Sequence, residues 1–192
     1  MPAQIILASA SPRRSELLDQ LNIRHRVHAI AIDETPHPHE APLAYVQRMA
    51  VEKSLACQQS IKSGLPILAA DTTVVQDGLI MGKPTDQADA LAMLARLSGV
   101  RHHVYTAVSL RGREQGQAVS VTEVTFKVLS EADMLAYWQT GEPLGKAGAY
   151  AIQGRAAQFV VSINGSYSGV VGLPLYETAA LLTQQGISPL HE

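Results

Sequence analysis

Ile5-Ile6-Leu7-Ala8-Ser9-Ala10-Ser11-Pro12-Arg13-Arg14-Ser15-Glu16-Leu17-Leu18 is a strand, a tight loop and the start of a helix written in one line. The apolar run predicts a buried strand over 4–9, and it stops at a loop of small residues. Ser11 is placed to cap the helix that follows, and Pro12 suits the first helical position, where no N–H is needed. Leu17, Leu18 and Leu21 form the apolar stripe of that helix, over 12–21. The two arginines are the anomaly, because the first turn of a helix already carries partial positive charge and free N–H groups. An anion opposite them removes the conflict. Arg13, Arg14, the spare backbone donors and the hydroxyls of Ser9 and Ser11 then form a receptor for phosphate or carboxylate. Solvated arginines on an amphipathic helix are the plainer alternative, and this segment does not choose between the two.

Outward from there, strand and helix signals alternate without a linker, repeat or low-complexity tract. Strands are expected at 26–32, 67–75, 79–81, 102–111, 117–128 and 157–163, and helices at 42–60, after Asp86, after Ser130 and at 174–185. Asp77-Gly78 predicts a tight hairpin, Gly99 ends the helix after Asp86, and Ser130 with Asp133 matches a capping box. Asn164-Gly165-Ser166 also reads as a hairpin turn. Two hairpins among βα units imply an α/β fold with a mixed sheet rather than a doubly wound parallel one.

Composition narrows the function. The 192 residues suit one domain, 1–192, or two intimate lobes, at roughly 100–200 residues per domain. A formal net charge of −2 argues against broad nucleic-acid or anionic-membrane binding, so any positive site is local. The single Cys57 excludes an internal disulfide framework and reads as a small core hydrophobe. The apolar start is too short for a signal peptide and lacks a basic leader, and no run approaches the ~18 apolar residues of a membrane span. A soluble cytoplasmic protein is the expectation.

Asp71 lies inside the otherwise apolar run 67–75, where an ionised carboxylate needs a cation, a metal or hydrogen-bond donors. A strand-end aspartate capping a turn is the alternative, although the residues after it remain strand-like. On the helix at 42–60, the stripe Leu43, Val46, Ala50 continues through Lys53 to Cys57. A buried ammonium needs an anionic partner, carboxylate or ligand phosphate, whereas a lysine at the stripe's edge simply snorkels to water. Gly82-Lys83-Pro84 is not a P-loop, since the spacing from Gly78 is short and Pro84 replaces the Ser/Thr, but it presents Lys83 on a rigid turn. Asp33 and Glu34 sit in a proline-braced loop beside His37 and His39, and a hard cation needs only one or two such carboxylates plus substrate phosphates. His102 and His103 read as surface residues of a strand. The run Lys146 to Gly154 is a small-residue loop that lets a flat ligand approach, with Tyr150 available to stack and Gln153 to read amide or carbonyl edges.

Taken together, Ser9-Ala10-Ser11-Pro12-Arg13-Arg14, Asp33-Glu34-Thr35, Glu52-Lys53, Ala70-Asp71-Thr72, Gly82-Lys83-Pro84, Lys146 to Gly154 and Gly172-Leu173-Pro174 resemble the Maf family of nucleoside triphosphate pyrophosphatases along almost the whole chain. The stretch Lys146-Ala147-Gly148-Ala149-Tyr150-Ala151-Ile152-Gln153-Gly154 looks like the dTTP/UTP group of that family. Gly145 departs from a position often acidic in relatives and touches no expected role. The resemblance implies a cytoplasmic enzyme, often a homodimer, that hydrolyses a nucleoside triphosphate to monophosphate and pyrophosphate with Mg2+ or Mn2+. It also implies an elongated mixed sheet flanked by helices, with two lobes around a central cleft, related to inosine triphosphatase. Asp71 is by this resemblance the proton acceptor, and Arg13, Thr72 and Gln153 set specificity. From the residues themselves, Lys53 and Lys83 join Arg13 and Arg14 in neutralising the triphosphate, Glu34 and Asp71 hold the metal, and Ser9, Ser11 and Lys146 complete the substrate site. Whether Asp71 acts as base or mainly as metal ligand stays open. A non-catalytic nucleotide-sensing regulator of cell division is the competing reading.

Overall fold

The computed structural model of the chain describes residues 2–190. Seven strands, β1 (Ile5–Leu7), β2 (His25–Val27), β3 (Ile67–Gln76), β4 (Leu79–Met81), β5 (Arg101–Arg111), β6 (Gln115–Phe126) and β7 (Val160–Asn164), make one sheet. Its order is β2-β1-β3-β5-β6-β7, with β4 paired to β3 off that path. The β1 pairings to β2 and β3 are parallel and all others antiparallel, so the sheet is mixed as expected. Helices α1 (Pro12–Gln20), α2 (Pro42–Ser60), α3 (Gln87–Leu97), α4 (Glu131–Gln139), α5 (Tyr167–Val171) and α6 (Leu175–Gln184) flank it. None of the helices among the described residues is long and apolar enough to cross a membrane.

One feature of the strand pairing creates the site. β1 covers β3 only at Ile67 and Leu68, and β4 covers it only from Val74 to Gln76. The edge of β3 between them, residues 69–73, faces a gap in the sheet while its other edge stays paired to β5 throughout. The β3–β4 turn that sets this spacing is the expected one: Asp77 and Gly78 take φ of 50° and 76°, the left-handed pair that a two-residue hairpin requires. Large apolar clusters lie on either side of the gap. Leu7, Leu18, Leu68, Val108 and Leu182 fill one, and Val74, Leu94, Val104, Phe126 and Phe159 the other. The two lobes therefore share β3 and β5 as a common spine.

Several expectations are corrected. The strand read at 26–32 ends at Val27, because β1 stops at Leu7 and leaves residues beyond His28 nothing to pair with. The strand read at 157–163 begins at Val160. Residues 155–159 form a 3₁₀ turn instead, since the Glu142 carboxylate accepts the N–H groups of Arg155 and Ala156 and Phe159 turns inward. Asn164-Gly165-Ser166 leads from strand to helix rather than into a hairpin, with the Ser166 hydroxyl capping α5 through the N–H of Gly169 at 3.0 Å. That five-residue helix carried no periodic signal. Ser11 occupies the N-cap position of α1 without a side-chain capping bond, and its own N–H donates to Ser9 Oγ at 3.2 Å. Leu43 is exposed, and the buried stripe of α2 runs instead through Val46, Met49, Ala50, Lys53, Ser54 and Cys57.

His102 is the largest correction, being wholly buried rather than at the surface. Its ring packs edge-on against Phe126 and Tyr150, its Nε2 meets the Tyr150 hydroxyl at 2.9 Å, and Nδ1 has no partner. Burial, helped by neighbouring His103, pushes its pKa down to about 4. The unfolded chain therefore binds a proton that the folded one refuses, so stability rises with pH across the window from about 4 to 6.5. Denaturant unfolding of the wild type should lose about 3 kcal/mol between pH 6.5 and 4 from this group, and the His102→Gln variant should lack that slope. Parallel pH profiles for the two proteins would remove His102 from the explanation.

Candidate active site

The sheet gap opens into a cleft of about 980 Å³, and the residues expected to act in catalysis, substrate binding or metal binding all line it: Ser9, Ser11, Arg13, Arg14, Glu34, Lys53, Asp71, Thr72, Lys83, Lys146 and Gln153. Strand alternation delivers two of them from adjacent positions to opposite faces of the sheet. Asp71 points toward α2, and Thr72 points toward α1 and α5.

On the α2 side, the Lys53 ammonium donates to Asp71 Oδ1 at 2.6 Å and lies 2.7 Å from Glu34 Oε1. Asp71 and Lys53 are both buried, at 7% and 8% exposure, so this ion pair is largely shielded from solvent and reached only through the cleft. Lys83 reaches across the cleft to Glu34 Oε2 at 3.0 Å. Burial would raise the Glu34 pKa, but its contacts with Lys53 and Lys83 outweigh it and hold the carboxyl at about 2. Glu34 is thus ionised throughout the physiological range. The plainer alternatives for these residues, a snorkelling lysine and a turn-capping aspartate, are both excluded by the contact.

Glu34 sits on a loop without regular structure, and α2 holds that loop in place. The Tyr45 hydroxyl donates to the Glu34 carbonyl at 2.9 Å. Arg48 grips Glu40 with two 2.7 Å bonds, donates to the Thr35 carbonyl at 3.2 Å and pairs with Glu52 one turn on. The i, i+4 spacing of Arg48 and Glu52 was visible in the sequence, but the grip on the loop was not. Asp33 only closes the turn at Thr35, and His37 and His39 are exposed. Among the described residues, no three His, Cys, Asp or Glu side chains converge as a metal cage.

On the other face, the Arg14 guanidinium donates to the Gly172 carbonyl at 2.8 Å, to Ser9 Oγ at 3.1 Å and to Thr72 Oγ1 at 3.3 Å. All three acceptors are neutral. Burial lowers its pKa, yet an arginine stays charged, so a partly buried positive charge without a bound carboxylate faces the cleft. Thr72 connects onward to Thr106, whose hydroxyl lies 2.7 Å from the Gly169 carbonyl, tying α5 to the cleft floor. Arg13 and Lys146 stand near one another, and both have pKa values lowered by burial first, with Arg13 adding to the effect on Lys146.

The loop 145–154 forms the remaining wall. Gly148 has φ of 65° and donates to the Gly82 carbonyl at 3.0 Å, and a side chain there would meet Val74 at 2.9 Å. That close approach is why the position needs glycine. Tyr150 does not present an open stacking face, for its hydroxyl binds His102 and its ring packs edge-on against Phe126. Gln153 is exposed to the cleft. Tyr137 and Glu142, which brace this loop, gave no sequence signal because they lie on and just beyond α4, outside the motif.

Fold and site together define an α/β protein with a cleft that sets a carboxylate–lysine cluster against a row of cations, the arrangement suited to a polyanionic ligand and a hard metal ion. The model of the Maf-like protein family matches residues 4–185, and the chain belongs to that family. It is 52% identical to a dTTP/UTP pyrophosphatase of Bordetella parapertussis over 197 aligned positions, covering 97% of this chain and 95% of the relative. It is 54% identical to the Myxococcus xanthus protein of the same name, covering 95% and 93% respectively. Among solved structures, the Staphylococcus aureus Ham1 protein aligns with 64% of this chain and 71% of its own, at 14% identity and a TM-score of 0.46.

Removing one partner from a buried ion pair strands the other. Lys53→Met should destabilise the fold by about 3 kcal/mol, and adding Asp71→Leu should recover most of that loss. Denaturant titration of the two single variants and the double variant tests this, and simple additivity of the losses would contradict the buried pair.

Proposed function

We propose that the protein hydrolyses dTTP and UTP to the nucleoside monophosphate and pyrophosphate, by attack of water on the α-phosphorus. The observation that carries this is the pairing of Asp71 with Lys53 at the open edge of β3, opposite Arg13, Arg14 and Lys83 in one cleft. The names borne by relatives about 50% identical along nearly the full chain supply the substrate class.

Lys53 holds Asp71 Oδ1, and Oδ2 makes no hydrogen bond among the described residues, so that oxygen is free to take the proton of an attacking water. The water oxygen bonds to the α-phosphorus, the bond to the α,β-bridging oxygen breaks, and its electron pair leaves with pyrophosphate. Lys83 and Arg13 neutralise the phosphate charge that builds on the leaving group, and Lys53 passes from Glu34 toward a phosphate oxygen as the substrate enters. Arg14 fixes the loop of Ser9 and Ser11, whose backbone donors and positive field receive the rest of the triphosphate. Gln153 and the backbone beside it meet the O4/N3 edge that uracil and thymine share.

Glu34 and Asp71 would suit a hard cation: both are carboxylates, both lie within 2.7 Å of one ammonium, and together with triphosphate oxygens and water they would hold magnesium or manganese. Such a cation supplies charge neutralisation and polarises the phosphoryl group. The same reading makes this an enzyme of the cytoplasm, supported by its expected substrates being nucleotides of the cytoplasmic pool.

Pyrophosphate release from a panel of nucleoside triphosphates tests the proposal. Release should be confined to dTTP, UTP and their C5-substituted relatives, should stop on chelation and return with Mg2+ or Mn2+. Asp71→Asn should lower kcat by roughly a thousandfold or more while nucleotide binding persists. Binding without release from any nucleotide in the wild type would make the protein a nucleotide sensor.

A further inference from the structure

Gln153 carries base recognition in the proposed function, yet it sits on a turn with no regular secondary structure to hold it. A glutamine amide has donors on one side and an acceptor on the other, so by turning over it satisfies a uracil or a cytosine edge alike. Discrimination between the two therefore depends on what fixes the backbone around it.

That backbone is pinned on both sides of Gln153 by one pair of side chains. On one side, the N–H of Ala151 donates to the Tyr137 hydroxyl oxygen at 3.1 Å. On the other, the N–H groups of Arg155 and Ala156 donate to the Glu142 carboxylate at 2.9 and 3.3 Å. The two anchors are joined, since the Tyr137 hydroxyl donates to Glu142 Oε1 at 2.7 Å. Between them the N–H of Gly154 closes on the Ala151 carbonyl at 3.0 Å, making a turn with Gln153 at its third position. The carboxylate presses so closely on this turn that a side chain at Gly154 would meet Glu142 Oε1 at 2.3 Å. Tyr137 is itself fixed in the core, 3% exposed, with its ring edge-on to Phe159.

We infer that Tyr137 and Glu142 are positioning residues for base discrimination, holding the 151–156 backbone so that the Gln153 turn fits uracil or thymine and rejects cytosine. This rests on the proposed function for its ligand, but its test is made on binding rather than on turnover. Calorimetry with the non-hydrolysable α,β-methylene analogues of UTP and CTP gives the ratio of the two dissociation constants. The wild type should prefer the uridine analogue. Tyr137→Phe, which removes a single oxygen, and Glu142→Gln should each cut that preference about tenfold, on the order of one well-placed hydrogen bond, with most of the loss in uridine affinity. The double variant should lose no more than the more affected single one, because the two groups act as one brace. In turnover the effect should fall on KM for UTP, with kcat within about threefold.

An unchanged uridine preference in Tyr137→Phe, whatever its melting temperature, would overturn the inference, as would a wild type that binds the two analogues equally. A wild type that prefers uridine and loses that preference in the variants, yet releases no pyrophosphate, would sustain the inference and overturn the hydrolytic reading alone.

Discussion

The site depends on one ammonium group placed between two carboxylates. Lys53 projects from a largely apolar helix face, and it meets Asp71, the only carboxylate within a ten-residue strand of largely buried residues. Neither charge is tolerable there alone, since desolvating an unpaired ion costs several kcal/mol. Each makes the other possible, and together they fix α2 against β3. Glu34 then closes the cluster from a loop, and Lys83 closes it from across the cleft. The cluster is reachable because the sheet is interrupted beside it. Had β1 and β4 met along β3, Asp71 would be sealed inside.

The opposite wall works by a different electrostatic device. Arg14 satisfies its donors with a carbonyl and two hydroxyls, so its charge is hydrogen-bonded but not neutralised. A partly buried cation in that state raises the potential of the cleft without closing it with a competing carboxylate. The same side chain stitches the β1–α1 loop to β3 and to the end of α5. Cleft charge and structural tie are one feature here. The loop that carries Gln153, by contrast, takes its shape from Tyr137 and Glu142, within the same lobe.

Much of this was legible in the sequence, for identifiable reasons. Asp71 and Lys53 stood out because each broke an apolar pattern of known period, and a broken pattern is a local signal. Arg13 and Arg14 stood out because they oppose a helix dipole. The long strands, the Asp77-Gly78 hairpin and the Ser130–Asp133 capping box are likewise set by short-range chemistry. What escaped was set by distant contacts. His102 and His103 are indistinguishable as adjacent histidines until Phe126 and Tyr150 claim one face of β5. Residues 157–159 read as strand until Glu142 captures the N–H groups just before them, and the gap in the sheet has no signature at all, because it is the absence of a partner along one edge.

The most direct measurement is the fate of solvent oxygen. UTP hydrolysed by the wild-type enzyme in water enriched in oxygen-18 should give uridine monophosphate carrying one labelled oxygen on its phosphate, and unlabelled pyrophosphate. Label in pyrophosphate would mean attack at the β-phosphorus, and release of inorganic phosphate would mean cleavage of the β,γ-bridge instead of the α,β-bridge. Either result would contradict a cleft in which Asp71 directs water to the α-phosphorus.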